Sequence, residues 1–140
     1  MIRPIELGDR DAWAPLFVAY GVFYETAFSD EVVESTWRRL LDPTEGIDAL
    51  VAEVDGTVVG FAHYRSHPDT FSTGRDWFLD DLFVDPAARG GGTATALIEH
   101  LKTIADGTLR WITAESNTTA QSVYDKVATR TSWVTYEVRA

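Results

Sequence analysis

The sequence contains no cysteine, one methionine and few basic residues, with 12 Lys and Arg set against 22 Asp and Glu. Without cysteine the chain has no disulfide framework, no thiolate nucleophile and no Cys-ligated zinc. A net charge of -10 repels polyanions at long range, which argues against nucleic acid and anionic membranes as partners and suits a basic ligand or acceptor. There is no cationic start leading into an apolar stretch and no apolar run long enough to span a bilayer. The expectation is therefore a soluble cytoplasmic protein. What is present is ordinary for a folded chain: 140 residues, 45% hydrophobic and 12% aromatic, read as one domain over 1–140.

Apolar spacing divides the chain into short elements. Ile2 to Ile5 reads as an edge strand because Pro4 cannot complete a ladder on both sides. Asp9 to Phe28 reads as a helix interrupted near Gly21, and Asp30 to Leu41 as a second helix capped by Ser29 or Asp30. Ala49–Val54 and Thr57–Tyr64 flank Asp55-Gly56, a hairpin signature. Trp77–Val84 and Leu109–Ala114 read as strands, Thr93–Ile104 and Thr118–Val127 as helices, and Trp133–Val138 as a final strand. The order β-α-α-β-β-β-α-β-α-β predicts an α/β fold of mixed α+β character, with a mostly antiparallel sheet rather than a doubly wound one.

The informative segment is Arg89-Gly90-Gly91-Gly92-Thr93-Ala94, between a strand and a helix. Glycines there let main-chain N–H groups approach a ligand, and the helix dipole favours an anion at that end. A phosphate or pyrophosphate is the natural ligand. A Walker loop is excluded because no Gly-Lys-Ser/Thr follows, and a dinucleotide fingerprint because the glycines come late in the chain.

Leu79-Asp80-Asp81-Leu82-Phe83-Val84-Asp85-Pro86 followed by Arg89 to Ala94 resembles the acetyl-CoA segment of the GCN5-related N-acetyltransferase (GNAT) superfamily, whose pattern is Arg/Gln-x-x-Gly-x-Gly/Ala. Arg89, Gly92 and Ala94 occupy its defining positions. A second match, Asn117 and Ala120 followed by Tyr124, is similar to the family's Asn-x-x-Ala-x-x-x-Tyr helix. The resemblance covers essentially the whole chain and is nearest to small members akin to spermidine/spermine and histone acetyltransferases.

It implies an acetyltransferase that moves an acetyl group from acetyl-CoA to a primary amine by direct attack in a ternary complex. The pyrophosphate would rest on main-chain amides of Gly90, Gly91, Gly92, Thr93, Ala94 and Thr95, assisted by Arg89. Main-chain groups at Leu82, Phe83 and Val84 would meet the pantetheine, with Asn117 touching the coenzyme arm. Tyr124 would protonate the departing thiolate. Asp80 and Asp81 are both candidates for the base, and strand alternation sends them to opposite faces. Asp80 is favoured because related polyamine enzymes carry an acid at its position.

Tyr24 and Glu25, with Tyr20, fall where the family's first-helix region walls the acceptor pocket, and would suit an ammonium. His63 and His67 share a strand face but lack a carboxylate in the pattern, so no metal is expected. The family often places Gly-Phe and two strands after the motif tyrosine. Here only Ser132–Arg139 is left, so the sheet is one strand short or is completed across a homodimer. The competing reading is a CoA-binding sensor or partner subunit without turnover.

Overall fold

The computed structural model describes residues 1–140. Its strands are β1 (Ile2–Pro4), β2 (Ile47–Val54), β3 (Thr57–Pro68), β4 (Arg75–Val84) and β5 (Leu109–Arg110). Its helices are α1 (Arg10–Phe23), α2 (Asp30–Leu41), α3 (Thr93–Ile104) and α4 (Thr118–Val127). The sheet runs β1-β2-β3-β4-β5, antiparallel except for β4 and β5, which are parallel and joined through α3. This is the expected mixed architecture.

The central strands are buried on both sides, so alternation sorts their side chains into two cores. Ala49, Val51, Phe61 and Phe83 pack with Trp13, Leu16, Phe17, Val33, Trp37 and Leu40 from α1 and α2. Leu50, Ala52, Ala62, Tyr64, Leu79 and Val84 pack with Leu97, Ile98 and Leu101 from α3. The β2–β3 hairpin turns through Asp55 at φ 52° and Gly56 at φ 78°, the positive angles a two-residue turn demands. Along β1, Arg3 grips the Asp9 carboxylate at 2.8 and 2.9 Å, tying this strand to the start of α1. No helix is long and apolar enough to cross a membrane.

Besides β3, which runs on to Pro68 instead of ending at Tyr64, three segments differ from expectation. The first helix stops at Phe23 rather than Phe28, because the chain folds back and stacks Phe28 on Phe17 at 4.5 Å. A Cβ at Gly21 would lie 2.7 Å from the Phe28 ring, so that return requires glycine. The fifth strand ends at Arg110 rather than Ala114, pairing only with Trp77 and Phe78. The segment Trp133–Val138 forms no strand at all, and leaves Trp133 81% and Tyr136 92% exposed.

Candidate functional site

The short fifth strand opens the sheet. The Asp85 N–H donates to Val59 O at 2.7 Å, so antiparallel alternation gives the main-chain bonds of Phe83 to β3 and turns those of Leu82 and Val84 the other way. Past Phe78 no strand lies on that side. The Val84 carbonyl accepts from Arg89 Nε at 3.0 Å, and the remaining outward groups of Leu82 and Val84 face the gap. Of the expected trio, Leu82 and Val84 therefore offer main chain, whereas Phe83 contributes its ring, beneath the Arg89 guanidinium at 5.3 Å.

A cleft of about 650 Å³ follows this gap, a size suited to a large ligand. Leu82, Phe83, Val84, Arg89, Gly90, Gly92, Thr93, Ala94, Thr95, Asn117 and Tyr124 all line it, and Tyr20 and Tyr24 close one end. Gly91 and Glu25 do not line it; Glu25 is exposed, with its backbone in the left-handed region at φ 56°. Thr119, Val123 and Lys126 also line it. Their mutual spacing of four and three along α4, a stripe beside Tyr124, was the available sequence signal.

At the mouth of the cleft, Gly92 caps α3 in the left-handed conformation, φ 78° and ψ 15°, and no side chain caps the helix. The first intrahelical bond is Ala96 N–H to Gly92 O, leaving the N–H groups of Thr93, Ala94 and Thr95 without main-chain acceptors. Gly90 is also left-handed, at φ 90°, and a Cβ at either glycine would enter open space. Three aligned donors, a dipole end and the Arg89 charge together make a cradle for a diphosphate. These residues fit the coenzyme that the motif implies.

Further in, β4 carries a bulge. His63 pairs with Asp81 but Tyr64 pairs with Leu79, leaving Asp80 as the extra residue. The bulge overturns the expectation that the two aspartates lie on opposite faces: they engage Arg65 and His63, two residues apart on one face of β3. Arg65 Nε donates to both Asp80 oxygens at 3.1 and 3.0 Å. Burial pushes the Asp80 carboxyl above the usual range, with Arg65 pulling it down and the Asp81 charge adding to the rise. Asp80 borders a pocket of about 20 Å³, room for a water, together with Tyr20, Tyr24, Leu82 and Tyr124.

Asp81 lies behind it. Its Oδ2 is 2.9 Å from His63 Nδ1, and its Oδ1 accepts from Tyr20 Oη at 2.7 Å. Burial raises this carboxyl too, but the His63 and Tyr20 contacts outweigh burial and hold it below the ordinary value. His63 and His67 part company: His63 is buried, whereas His67 is exposed near the strand end, its Nδ1 2.9 Å from Pro68 O. Tyr124 packs its ring on Trp111 at 5.4 Å, and its hydroxyl makes no hydrogen bond within the chain. Burial, then the neighbouring Tyr24, pushes its phenol up, so it keeps its proton at neutral pH. Asn117 Oδ1 caps α4 by accepting from Ala120 N–H at 3.2 Å, so the capping role and the cleft-lining role coincide.

Residues 12–128 match the sequence profile of the acetyltransferase (GNAT) family. The chain belongs to the GNAT family. The D-amino-acid N-acetyltransferase HPA3 of Saccharomyces cerevisiae is 35% identical over 143 residues, covering 98% of this chain and 89% of that protein. A peptidyl-lysine N-acetyltransferase, YjaB of Salmonella typhimurium, is 32% identical over 108 residues, covering 69% and 74%. Among solved structures, a ribosomal-protein-alanine N-acetyltransferase from Brucella melitensis superposes with a TM-score of 0.83 at 26% identity, covering 100% and 99%. This GNAT chain is an acyltransferase, and the sensor reading is not favoured.

Proposed function

We propose that this GNAT enzyme, as one unit over 1–140, transfers acetyl from acetyl-CoA to a primary amine in a ternary complex. The observation that carries the reading is the uncapped start of α3, whose donors open on a cleft sized for a nucleotide thioester. Bound there, acetyl-CoA supplies an acyl group activated as a thioester. The amides of Thr93, Ala94 and Thr95 hold the diphosphate beside Arg89, and the outward main chain of Leu82 and Val84 receives the pantetheine arm. Satisfying those otherwise unpaired groups is itself a source of affinity. Asp80, through a water in the small pocket, takes the proton of the incoming ammonium. The freed amine nitrogen bonds to the acyl carbon as the carbon–sulfur bond breaks, Tyr124 gives its proton to the sulfur, and the second proton, shed by the nitrogen as it becomes an amide, restores the Tyr124 phenol.

The acceptor is a small-molecule or peptide amine, in keeping with the net charge of -10 and with relatives named for D-amino acids and peptidyl-lysine. A cytoplasmic setting belongs to the same proposal.

Calorimetry with acetyl-CoA, paired with a thiol-release assay over a panel of amines, tests the reading; no heat and no thiol would refute it. In the same calorimeter Gly92→Val is expected to weaken acetyl-CoA at least about tenfold. A β-branched side chain is strained by ~1–2 kcal/mol in the left-handed region and would also fill the cleft mouth. Gly91→Ala is the control, since its φ is not positive and its Cβ would meet only Ala88 O at 3.9 Å.

The exposed Trp133–Val138 segment supports a homodimer. Its β-branched and aromatic residues are bare, while the sheet edge beyond the brief β5 lacks a partner. Sedimentation is expected to read twice the 15.6 kDa chain mass, and removing residues 129–140 to give a monomer. A monomeric full chain would reject the assembly.

A further inference from the structure

A buried chain of hydrogen bonds runs from the first core to the cleft. Trp13 Nε1 donates to His63 Nε2 at 3.0 Å. An indole can only donate, so His63 accepts there and carries its proton on Nδ1, which donates to Asp81 Oδ2 at 2.9 Å. Asp81 Oδ1 in turn accepts the one proton of Tyr20, at 2.7 Å. Trp13 and His63 are fully buried, and rings stack around the histidine, with Phe61 4.5 Å away. The chain is closed at its inner end, because the indole has no lone pair to take a proton onward. It cannot conduct a proton to solvent. It can only fix orientation.

What it orients is Tyr20, which lines both the main cleft and the small pocket beside Asp80. With its proton committed to Asp81, the Tyr20 oxygen has only lone pairs left for the cleft. Burial, then the Asp81 charge and hydrogen bond, pushes this phenol far above its ordinary range, so it does not ionise. Any group that meets the oxygen must therefore donate. We propose that Tyr20 is the acceptor-reading residue of the enzyme, taking an N–H from the ammonium substrate, with Trp13, His63 and Asp81 as positioning residues that dictate this polarity. The inference rests on the acetyl-transfer reading for its substrate, but its polarity claim can be tested without turnover.

The probes are propylammonium chloride, a donor, and sodium propionate, an acceptor. In nitrogen-15 NMR of the full chain, propylammonium is expected to shift the Tyr20 and Asp81 amide signals, and propionate to leave them unmoved. Tyr20→Phe keeps the ring packed on Phe61 and Phe83 and is expected to weaken the propylammonium response about tenfold, the scale of one hydrogen bond to a charged group. Asp81→Asn is the sharper variant. Its carboxamide oxygen still accepts from His63, so its NH₂ faces Tyr20 and turns the phenol proton toward the cleft. Propionate should then bind and propylammonium should not, an inversion that a merely structural role would not produce.

The histidine ring nitrogens should show the proton on Nδ1 in the unaltered chain. Equal propylammonium binding to Tyr20→Phe, no inversion in Asp81→Asn, or a proton on His63 Nε2 would each overturn the proposal. In thiol-release kinetics Tyr20→Phe should raise the amine KM about tenfold while kcat and the acetyl-CoA KM stay within about twofold. Expected NMR results without any thiol release would leave Tyr20 as an ammonium reader and instead refute acetyl transfer.

Discussion

Tyr124→Phe is expected to lower kcat by ~10²-fold, the lower range for loss of a positioned general acid, and to leave acetyl-CoA affinity nearly unchanged. The substitution removes one oxygen and no packing: the ring stays against Trp111, and the hydroxyl has no partner inside the chain to abandon. Stability should therefore hold as well. What is lost is the proton for the leaving sulfur. Burial and Tyr24 keep the phenol protonated, so the unaltered enzyme should show no basic limb from this group across the neutral range. The decisive comparison is the split between the two constants. Equal turnover of Tyr124→Phe and the parent would remove Tyr124 from its assigned role, whereas a fall in affinity alone would make it a wall of the cleft.

Asp80→Asn should cost a similar ~10²-fold in kcat/KM and abolish the acidic limb of the pH profile. A base works only when ionised, and burial raises the Asp80 carboxyl, so activity should fall away with decreasing pH sooner than it would for an ordinary aspartate. Arg65 opposes that rise, by its charge and by hydrogen bonds to both Asp80 oxygens. Arg65→Met, which keeps an apolar stem over Phe78, is therefore expected to move the acidic limb to higher pH. A limb that moves down, or stays, would take the proton-accepting role from Asp80. Asp81 offers no substitute, since it borders neither the small pocket nor the cleft and its oxygens are held by His63 and Tyr20. Asp81→Asn, whose turned Tyr20 proton weakens amine binding, should accordingly retain the acidic limb in the turnover left at high amine concentration, which separates the two neighbouring carboxyls by experiment.

The elements that could be read along the chain are those governed by local chemistry. The helices over 93–104 and 118–127 match their apolar spacing, and the Asp55-Gly56 turn adopts the positive angles its residues suggest. The motif residues Arg89, Gly92, Ala94, Asn117 and Tyr124 converge on one cleft as their pattern implied. Local spacing failed where a distant group intervened. The end of α1 depends on Phe28 reaching back over Gly21. The strand-like run Trp133–Val138 meets every propensity rule for a strand and still finds no ladder, because a strand exists only beside a partner.

Composition and motif spacing alone thus determined the class of fold, the lack of a thiol and the place of a glycine loop opening a helix, all of which follow from residue type and short-range geometry. Tertiary structure decided which aspartate borders the small pocket. The bulge in β4 puts both carboxyls on one side, then gives Asp81 to His63 and Tyr20 and leaves Asp80 beside the small pocket. Trp13 and His63 lie fifty positions apart, and Tyr20 and Asp81 sixty-one. Contacts at that separation are created by packing one helix, α1, on a sheet, and no local pattern encodes them.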